Sequence, residues 1–564
     1  MRGVSVVLLV ALTFLVISYP ANLHYDTSPV QSLSVFSNSV LFAIIFYFWM
    51  GTILFFLILR QNDDLVFRAI PLIAFACVFL GLWVTKSSYG LTADEPAYFA
   101  GVRTIILSGR ILPPVPNYAY TNFPGVLLVV SQFSEITGLS IISARTILVL
   151  VMDLTLVVAG YLFFRRLRLG QFASLAILAA IMGSRILATS AEYLQGGSLA
   201  LAYFPLILVL LLVTRGSLAR TASILILFVA SVMAYLPSSA AILAVTLVLF
   251  GWRISRKTIG LHPAILTVFV LTIISWLIYQ ATPYPLGFAQ SFLALLKSGL
   301  LNAFNSPVNS ATTGLLPLPS WAFVIEVSWL IVIYLAGTII AAYLVVFRKL
   351  HHPSAVFSVP AIVGLILMIV LLTLVFPTGS QYFRFLQFGA FFTTPMVFLG
   401  MTSPKKKQAK MLILVSMLLL ALSFPTFLVD NKNISTQVIY STDVSVYQFI
   451  GQLGPTGVVL YILPTDRVYT AFYVPGANVM SSSIAYDMTQ SEGILSVRSL
   501  VDSFSSSSTA TTSTPPLFVF SMRELYGYQI LGISPSSQSW GQTLGTLYST
   551  NVVFEDGTNT IFAH

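Results

Sequence analysis

A chain of 564 residues with 57% hydrophobic and only 8% charged positions is not an ordinary soluble enzyme, in which roughly a quarter of residues carry charge. A disulfide framework and a cysteine metal cluster are excluded too, because the one cysteine, Cys77, sits inside an apolar run. The formal net charge of +10 does not point to nucleic acid, since most basic residues fall in short connections between apolar segments, where they set membrane topology.

Apolar runs of about twenty residues, the length a bilayer requires, predict crossings near 3–20, 39–59, 69–85, 142–164, 171–188, 197–214, 221–236, 239–252, 264–281, 321–346, 355–376, 385–402 and 411–429. That is an all-α polytopic fold of about 13 transmembrane helices, occupying residues 1–429. The first run also fits a signal peptide, with Met1 and Arg2 ahead of a short apolar core. The pair 221–236 and 239–252, joined through Pro237, fits two crossings or one broken helix that dips back.

Orientation follows from the charges. Arg2, Arg60, Arg68, Arg165, Arg166, Arg168, Arg215, Arg220, Arg253, Arg256, Lys257, Arg348, Lys349, Lys405, Lys406, Lys407 and Lys410 share one side, which the positive-inside rule makes cytoplasmic. The amino terminus is then inside, and two large loops, 87–141 and 282–320, lie outside. Phe123 to Phe133 is too short to span, and 287–304 carries Gln290, Lys297 and Asn302 among apolar residues at helical spacing, so both read as interfacial. Residues 430–564 form a small extracytoplasmic domain, α/β or β-rich, in which short runs such as Val458 to Leu463 and Leu517 to Phe520 alternate with turn residues. Ser503 to Pro516 reads as a loop, and Asn433-Ile434-Ser435 is a glycosylation sequon.

Acidic residues number only 18, and those near a bilayer are retained against an insertion cost of about 3 kcal/mol at its centre. Asp94-Glu95 stands in the first outer loop, ahead of an amphipathic run through Tyr98, Phe99, Val102, Ile105 and Ile106. Asp94 is placed to cap that helix, with Pro96 tolerated in the first turn. A carboxylate pair there is also placed to take a proton from an acceptor hydroxyl and to hold a divalent cation; the roles are compatible. Asp153, in mid-helix, is the one deep acid and is read as a polar contact between helices. The histidines stand in cytoplasmic loops, at the carboxyl terminus or, for His24, alone, so no histidine metal site is expected outside.

The succession LTADEPAYFAGVRTIILSGR, NFPGVLLVVSQFSEITGLS and IISARTILVLVMDLTLVVAGYLFFRRLRLG resembles the GT-C membrane glycosyltransferases, in particular the branch of protein O-mannosyltransferases and lipid A aminoarabinose transferases. Asp94-Glu95, Phe123-Pro124-Gly125, Gly138, Ala144-Arg145 and Arg165-Arg166-Leu167 occupy the places of that branch's motifs. The resemblance covers about residues 87–215; beyond them it rests on helix count and sidedness. Two crossings precede the helix before Asp94 where the family has one, and the family's proline pair is reduced to Phe-Pro-Gly. The closing NVVFEDGTNTIF resembles the ends of archaeal members.

The resemblance implies a polyprenyl (dolichyl)-phosphate-linked sugar donor, a protein or envelope glycan or lipid acceptor on the outer face, and inversion at the sugar carbon. No nucleotide cofactor is implied. Asp94 is then the general base, and Glu95 orients the acceptor or, with Glu192 of the next outer loop, holds a divalent cation such as Mg or Mn. For phosphate the candidates are Arg384, beside Tyr382 in SQYFRFLQF, and Arg103, Arg145 and Lys297, because a guanidinium makes bidentate phosphate contacts; each is weighed against snorkelling to lipid headgroups. Glu192 is weighed against a loop carboxylate paired with Arg185. The competing readings are a transporter or flippase for lipid-linked glycans and a non-catalytic membrane scaffold.

Overall fold

The computed structural model describes residues 95–111, 122–170, 196–212, 217–256 and 263–281, helical stretches at 335–343, 357–359, 361–366 and 388–397, five strands between 458 and 563, and a few single positions. The crossings expected at 39–59, 69–85 and 411–429 and the loop 282–320 lie outside the described residues, as do nearly all of 3–20 and most of 171–188.

Seven helices follow in order: α1 (Glu95–Ser108), α2 (Gly125–Thr137), α3 (Ile141–Arg166), α4 (Gly196–Leu212), α5 (Leu218–Ala234), α6 (Leu236–Arg256) and α7 (Pro263–Tyr279). Local signals set their ends. Gly109 and Gly138 adopt left-handed φ of 63° and 69° after α1 and α2, a conformation glycine reaches without a Cβ penalty. The Gly138 N–H donates to the Ser134 carbonyl at 2.8 Å, and the Ser134 hydroxyl donates to the Leu139 carbonyl at 2.6 Å. Ser140 caps α3 by accepting the Ser143 N–H at 3.2 Å, and Ser217 caps α5 by accepting the Arg220 N–H at 3.1 Å.

Among the described residues α3, with 26 residues, is the one helix long and apolar enough to cross a membrane; at 1.5 Å per residue it is about 39 Å long. Its two faces are both apolar. Val149, Met152, Leu156, Val157, Gly160 and Phe163 are buried, whereas Ile147, Val151, Leu154, Val158 and Leu162 form an exposed stripe at helical spacing. Leu271, Ile274 and Ile278 repeat that exposure on α7. Apolar side chains on the exposed as well as the packed face suit a lipid surround.

Between α5 and α6 a single residue, Tyr235, is extended (φ −166°, ψ 112°). Three buried serines close the joint: Ser231 and Ser238 hydroxyls lie 2.8 Å apart, and Ser238 and Ser239 donate to the Tyr235 carbonyl at 2.7 and 3.3 Å. Pro237 is the second residue of α6, where no intrahelical N–H is needed. The chain therefore makes two helices here, and α6 runs well beyond the apolar stretch 239–252.

Helices α3 and α4 pack along each other. Away from the start of α3 the core is aromatic: Phe163 and Phe164 of α3 and Phe204 of α4 meet Phe357, Phe388, Phe391 and Phe392 at centroid distances of 4.8 to 6.2 Å. Phe228 of α5 stacks on Phe269 of α7 at 3.6 Å, with the rings 6° from parallel. The tilted and edge contacts of the first group add about 0.5–1.5 kcal/mol each beyond the area they bury.

The carboxyl-terminal strands are β1 (Val458–Tyr461), β2 (Asn478–Ser481), β3 (Leu517–Ser521), β4 (Asn551–Glu555) and β5 (Asn559–Ala563). They form one sheet in the order β2-β1-β3-β5-β4. β1 pairs in parallel with β2 and β3, and β5 pairs antiparallel with β3 and β4, with an irregularity between Val552 and Phe554. β1 and β3 fall on the runs expected at Val458 to Leu463 and Leu517 to Phe520. The closing motif supplies β4 and β5, joined through Asp556-Gly557-Thr558.

Candidate functional site

The helix that follows the carboxylate pair starts at Glu95. One face of α1 carries Tyr98, Phe99, Val102 and Ile105, all buried. Tyr98, Val102 and Ile105 share one cluster with Val126, Leu127 and Val130 of α2, Ala144, Val149 and Met152 of α3, and Leu199, Ala200 and Ala202 of α4. The amphipathic helix is thus fastened to the bundle along its apolar face, and Arg103, off that face, is exposed.

Polar and steric contacts then fix the helix ends. The Tyr98 hydroxyl, on a side chain only 6% exposed, accepts the N–H of Gly196, the first residue of α4, at 3.2 Å. Gly125, at the start of α2, and Gly196 both abut the end of α5. A Cβ on Gly125 would lie 2.8 Å from the Ala234 nitrogen, and one on Gly196 would overlap the Ala234 carbonyl oxygen. The carboxyl end of α5, the negative pole of its dipole, therefore meets the positive amino ends of α2 and α4. The Trp276 indole N–H of α7 donates to the Asn122 carbonyl at 3.1 Å. Together these contacts gather the starts of α1, α2 and α4 and the ends of α5 and α7 on one rim.

The opposite rim is built by arginines. Arg220 donates through Nε to the Leu210 carbonyl at 2.7 Å and through Nη2 to the Leu211 carbonyl at 3.3 Å, satisfying acceptors that the last turn of α4 leaves open. Arg165 donates to the Leu169 carbonyl at 3.0 Å, and Arg165 and Arg166 occupy the last turn of α3.

Arg145 enters the interior. It is 3% exposed and shares the buried stripe of α3 with Val149, Met152, Asp153 and Leu156. Burial to that degree separates Arg145 from a side chain snorkelling to headgroups, the arrangement that exposed Arg103 fits. Asp153, two turns further along, is 1% exposed, and Arg145 acts on it electrostatically. Its Oδ2 has no hydrogen-bond partner among the described residues. The contact between helices expected for Asp153 is thus not made through Oδ2 among the described residues.

Of the residues singled out in the sequence, Glu95 is the first residue of α1, with its side chain outside the described set. Asp94, Glu192, Lys297, Tyr382 and Arg384 also lie outside the described residues, as do Asn433 and Arg185. Among the described residues no three His, Cys, Asp or Glu side chains gather as a metal site. The sequence reading passed over Tyr98 as a polar anchor, because the pattern marked it only as one apolar position of an amphipathic face. The joint of Gly125 and Gly196 on Ala234 was equally hidden, since its members are distant along the chain.

No protein-family model and no curated protein matches the chain. Among solved structures, the archaeal oligosaccharyltransferase AglB from Archaeoglobus fulgidus, in complex with an inhibitory peptide and a dolichol-phosphate, is similar at a TM-score of 0.50 and 11% identity, over 88% of this chain and 74% of that one. ArnT from Cupriavidus metallidurans bound to undecaprenyl phosphate aligns over 89% of this chain and 98% of that one, at 15% identity and a TM-score of 0.41. The likeness to AglB is one of fold and extends over most of the chain.

Proposed function

We propose that this chain is a membrane glycosyltransferase that moves a sugar from a polyprenyl-phosphate carrier to a protein or envelope glycan or lipid on the outer face of the membrane. The observation that carries the reading is the packing of α1, the helix that opens at Glu95, onto a cluster that includes Ala144, the neighbour of the buried Arg145 on α3. Charge sidedness supports placing that cluster outside, since Arg165, Arg166, Arg168 and Arg220 stand at the opposite rim. Support also comes from the fold shared with AglB, whose solved complex holds a dolichol-phosphate and a peptide.

In the proposed reaction the acceptor oxygen attacks the anomeric carbon from the face opposite the phosphate. The new C–O bond forms as the C–O bond to phosphate breaks, the acceptor proton passes to the Asp94 carboxylate, and the polyprenyl phosphate leaves with the bonding electrons. One displacement inverts the carbon, and no redox partner is needed. A carboxylate base contributes about 10²–10⁴ in rate. Arg145 and Arg384 are the proposed partners of the leaving phosphate, whose negative charge grows as the bond breaks; Tyr382 and Arg103 are proposed as further substrate contacts. Glu95 and Glu192 are proposed to orient the acceptor or to hold a divalent cation, and no step above depends on that ion.

The test is transfer of radiolabelled sugar from a panel of short-chain polyprenyl-phosphate donors to a membrane extract by the purified protein, with and without chelator. Label in the acceptor supports the reading, and its loss with chelator alone assigns the cation. Absence of transfer across the panel contradicts the reading. One observation favours the transporter reading instead: Asp153 is a deep acid whose Oδ2 has no hydrogen-bond partner among the described residues, the kind of group that proton-coupled carriers use.

A further inference from the structure

We infer that Tyr98 is a positioning residue of the proposed transferase site: its hydroxyl fastens the first turn of α1 to the first amide of α4 and so ties the helix that opens at Glu95 to the helix that follows Glu192 in the sequence. The inference rests on the glycosyltransferase reading and extends it to a residue that touches neither donor nor acceptor. Tyr98 stands one helical turn after Glu95, and Gly196 follows Glu192 by four residues. Those four residues can extend at most about 14 Å, so tying Gly196 to Tyr98 bounds the distance of Glu192 from the first turn of α1. The anchor bridges 98 positions of sequence between two buried groups. It is also doubly specified. Gly196 is pressed on its other side against the Ala234 carbonyl, where a Cβ would overlap, while the Tyr98 ring is held within the cluster formed with α2, α3 and α4. Neither partner has room to re-pair by sliding.

A purely structural tyrosine and a positioning one differ in what its removal does to catalysis. Tyr98→Phe keeps the ring and its packing and deletes the hydroxyl that accepts the Gly196 N–H. The expected result is a fall of about tenfold in kcat with donor KM within twofold, because the lipid site is untouched while the two helices lose their tie. In a Glu192→Gln background the same substitution should cost less than twofold, since two residues acting as one unit are not additive. An unchanged kcat for Tyr98→Phe overturns the inference. So does a full tenfold loss in the Glu192→Gln background, which would mean that Tyr98 acts elsewhere. Amide exchange in the full-length protein separates this failure from failure of the functional reading. Faster exchange at the first turn of α4 in Tyr98→Phe establishes the anchor even where no donor supports transfer, and unchanged exchange there removes it.

Discussion

The two ends of the helical bundle are closed by different means. At the arginine rim the helix ends are satisfied by long side chains, Arg220 on Leu210 and Leu211 and Arg165 on Leu169. At the α1 rim the closure is backbone on backbone, with Gly125 and Gly196 against Ala234 and one tyrosine hydroxyl on an amide. A guanidinium on a flexible stem follows its carbonyl through small shifts of a helix; two glycines in contact with a peptide group cannot. The first arrangement tolerates drift, and the second leaves no room for the helix starts to shift against Ala234. The rim built for precision is the one where α1 begins.

Substitutions should break that contrast in a graded way. Gly196→Ala has the largest expected effect, because the new methyl group would occupy the place of the Ala234 carbonyl oxygen. Overpacking of this kind costs about 3 kcal/mol, read as a large fall in thermal unfolding temperature in detergent; an unchanged melting curve would show that the joint yields. Gly125→Ala meets the Ala234 nitrogen and the Met233 carbonyl carbon at 2.8 Å and should cost about 2 kcal/mol by the same measurement. At the arginine rim, Arg220→Ala strips the end of α4 of charged hydrogen bonds. It should lower stability by about 1.5 kcal/mol and leave transfer within twofold, since the α1 rim keeps its contacts. A transfer loss well beyond twofold in Arg220→Ala would erase the distinction between the rims.

Arg145→Lys sharpens the comparison on the side of chemistry. It keeps the buried charge and loses the planar fork, so binding of an undecorated polyprenyl phosphate should weaken about tenfold with little change in melting. Unchanged binding would return Arg145 to a purely structural role.

How much of this was legible in the sequence depends on what wrote the signal. Bilayer burial writes apolarity along a whole helix, so 142–164, 197–214, 221–236 and 264–281 lie within a few residues of α3, α4, α5 and α7. Helix α6 exceeds its apolar stretch because hydrogen-bonded backbone continues through Ser238 and Ser239 at one end and Arg253 and Arg256 at the other. The different fates of Arg103 and Arg145 were readable from periodicity: Arg103 falls off the stripe of Tyr98, Val102 and Ile105, whereas Arg145 shares one with Val149 and Met152. Contacts between distant segments left no such trace. Nothing local to Gly196 announces a tyrosine 98 positions earlier or a carbonyl at Ala234, because close packing of small residues carries no period of its own.

Asp94, the residue just before α1, is the proposed acceptor of the proton from the attacking oxygen. The measurement that tests it most directly is single-turnover transfer of labelled sugar by purified wild type and Asp94→Asn at saturating donor, with donor binding and melting recorded on the same samples. The prediction is a loss of at least about 10² in rate for Asp94→Asn, with donor affinity and melting temperature unchanged. Transfer by Asp94→Asn at the wild-type rate would contradict the claim.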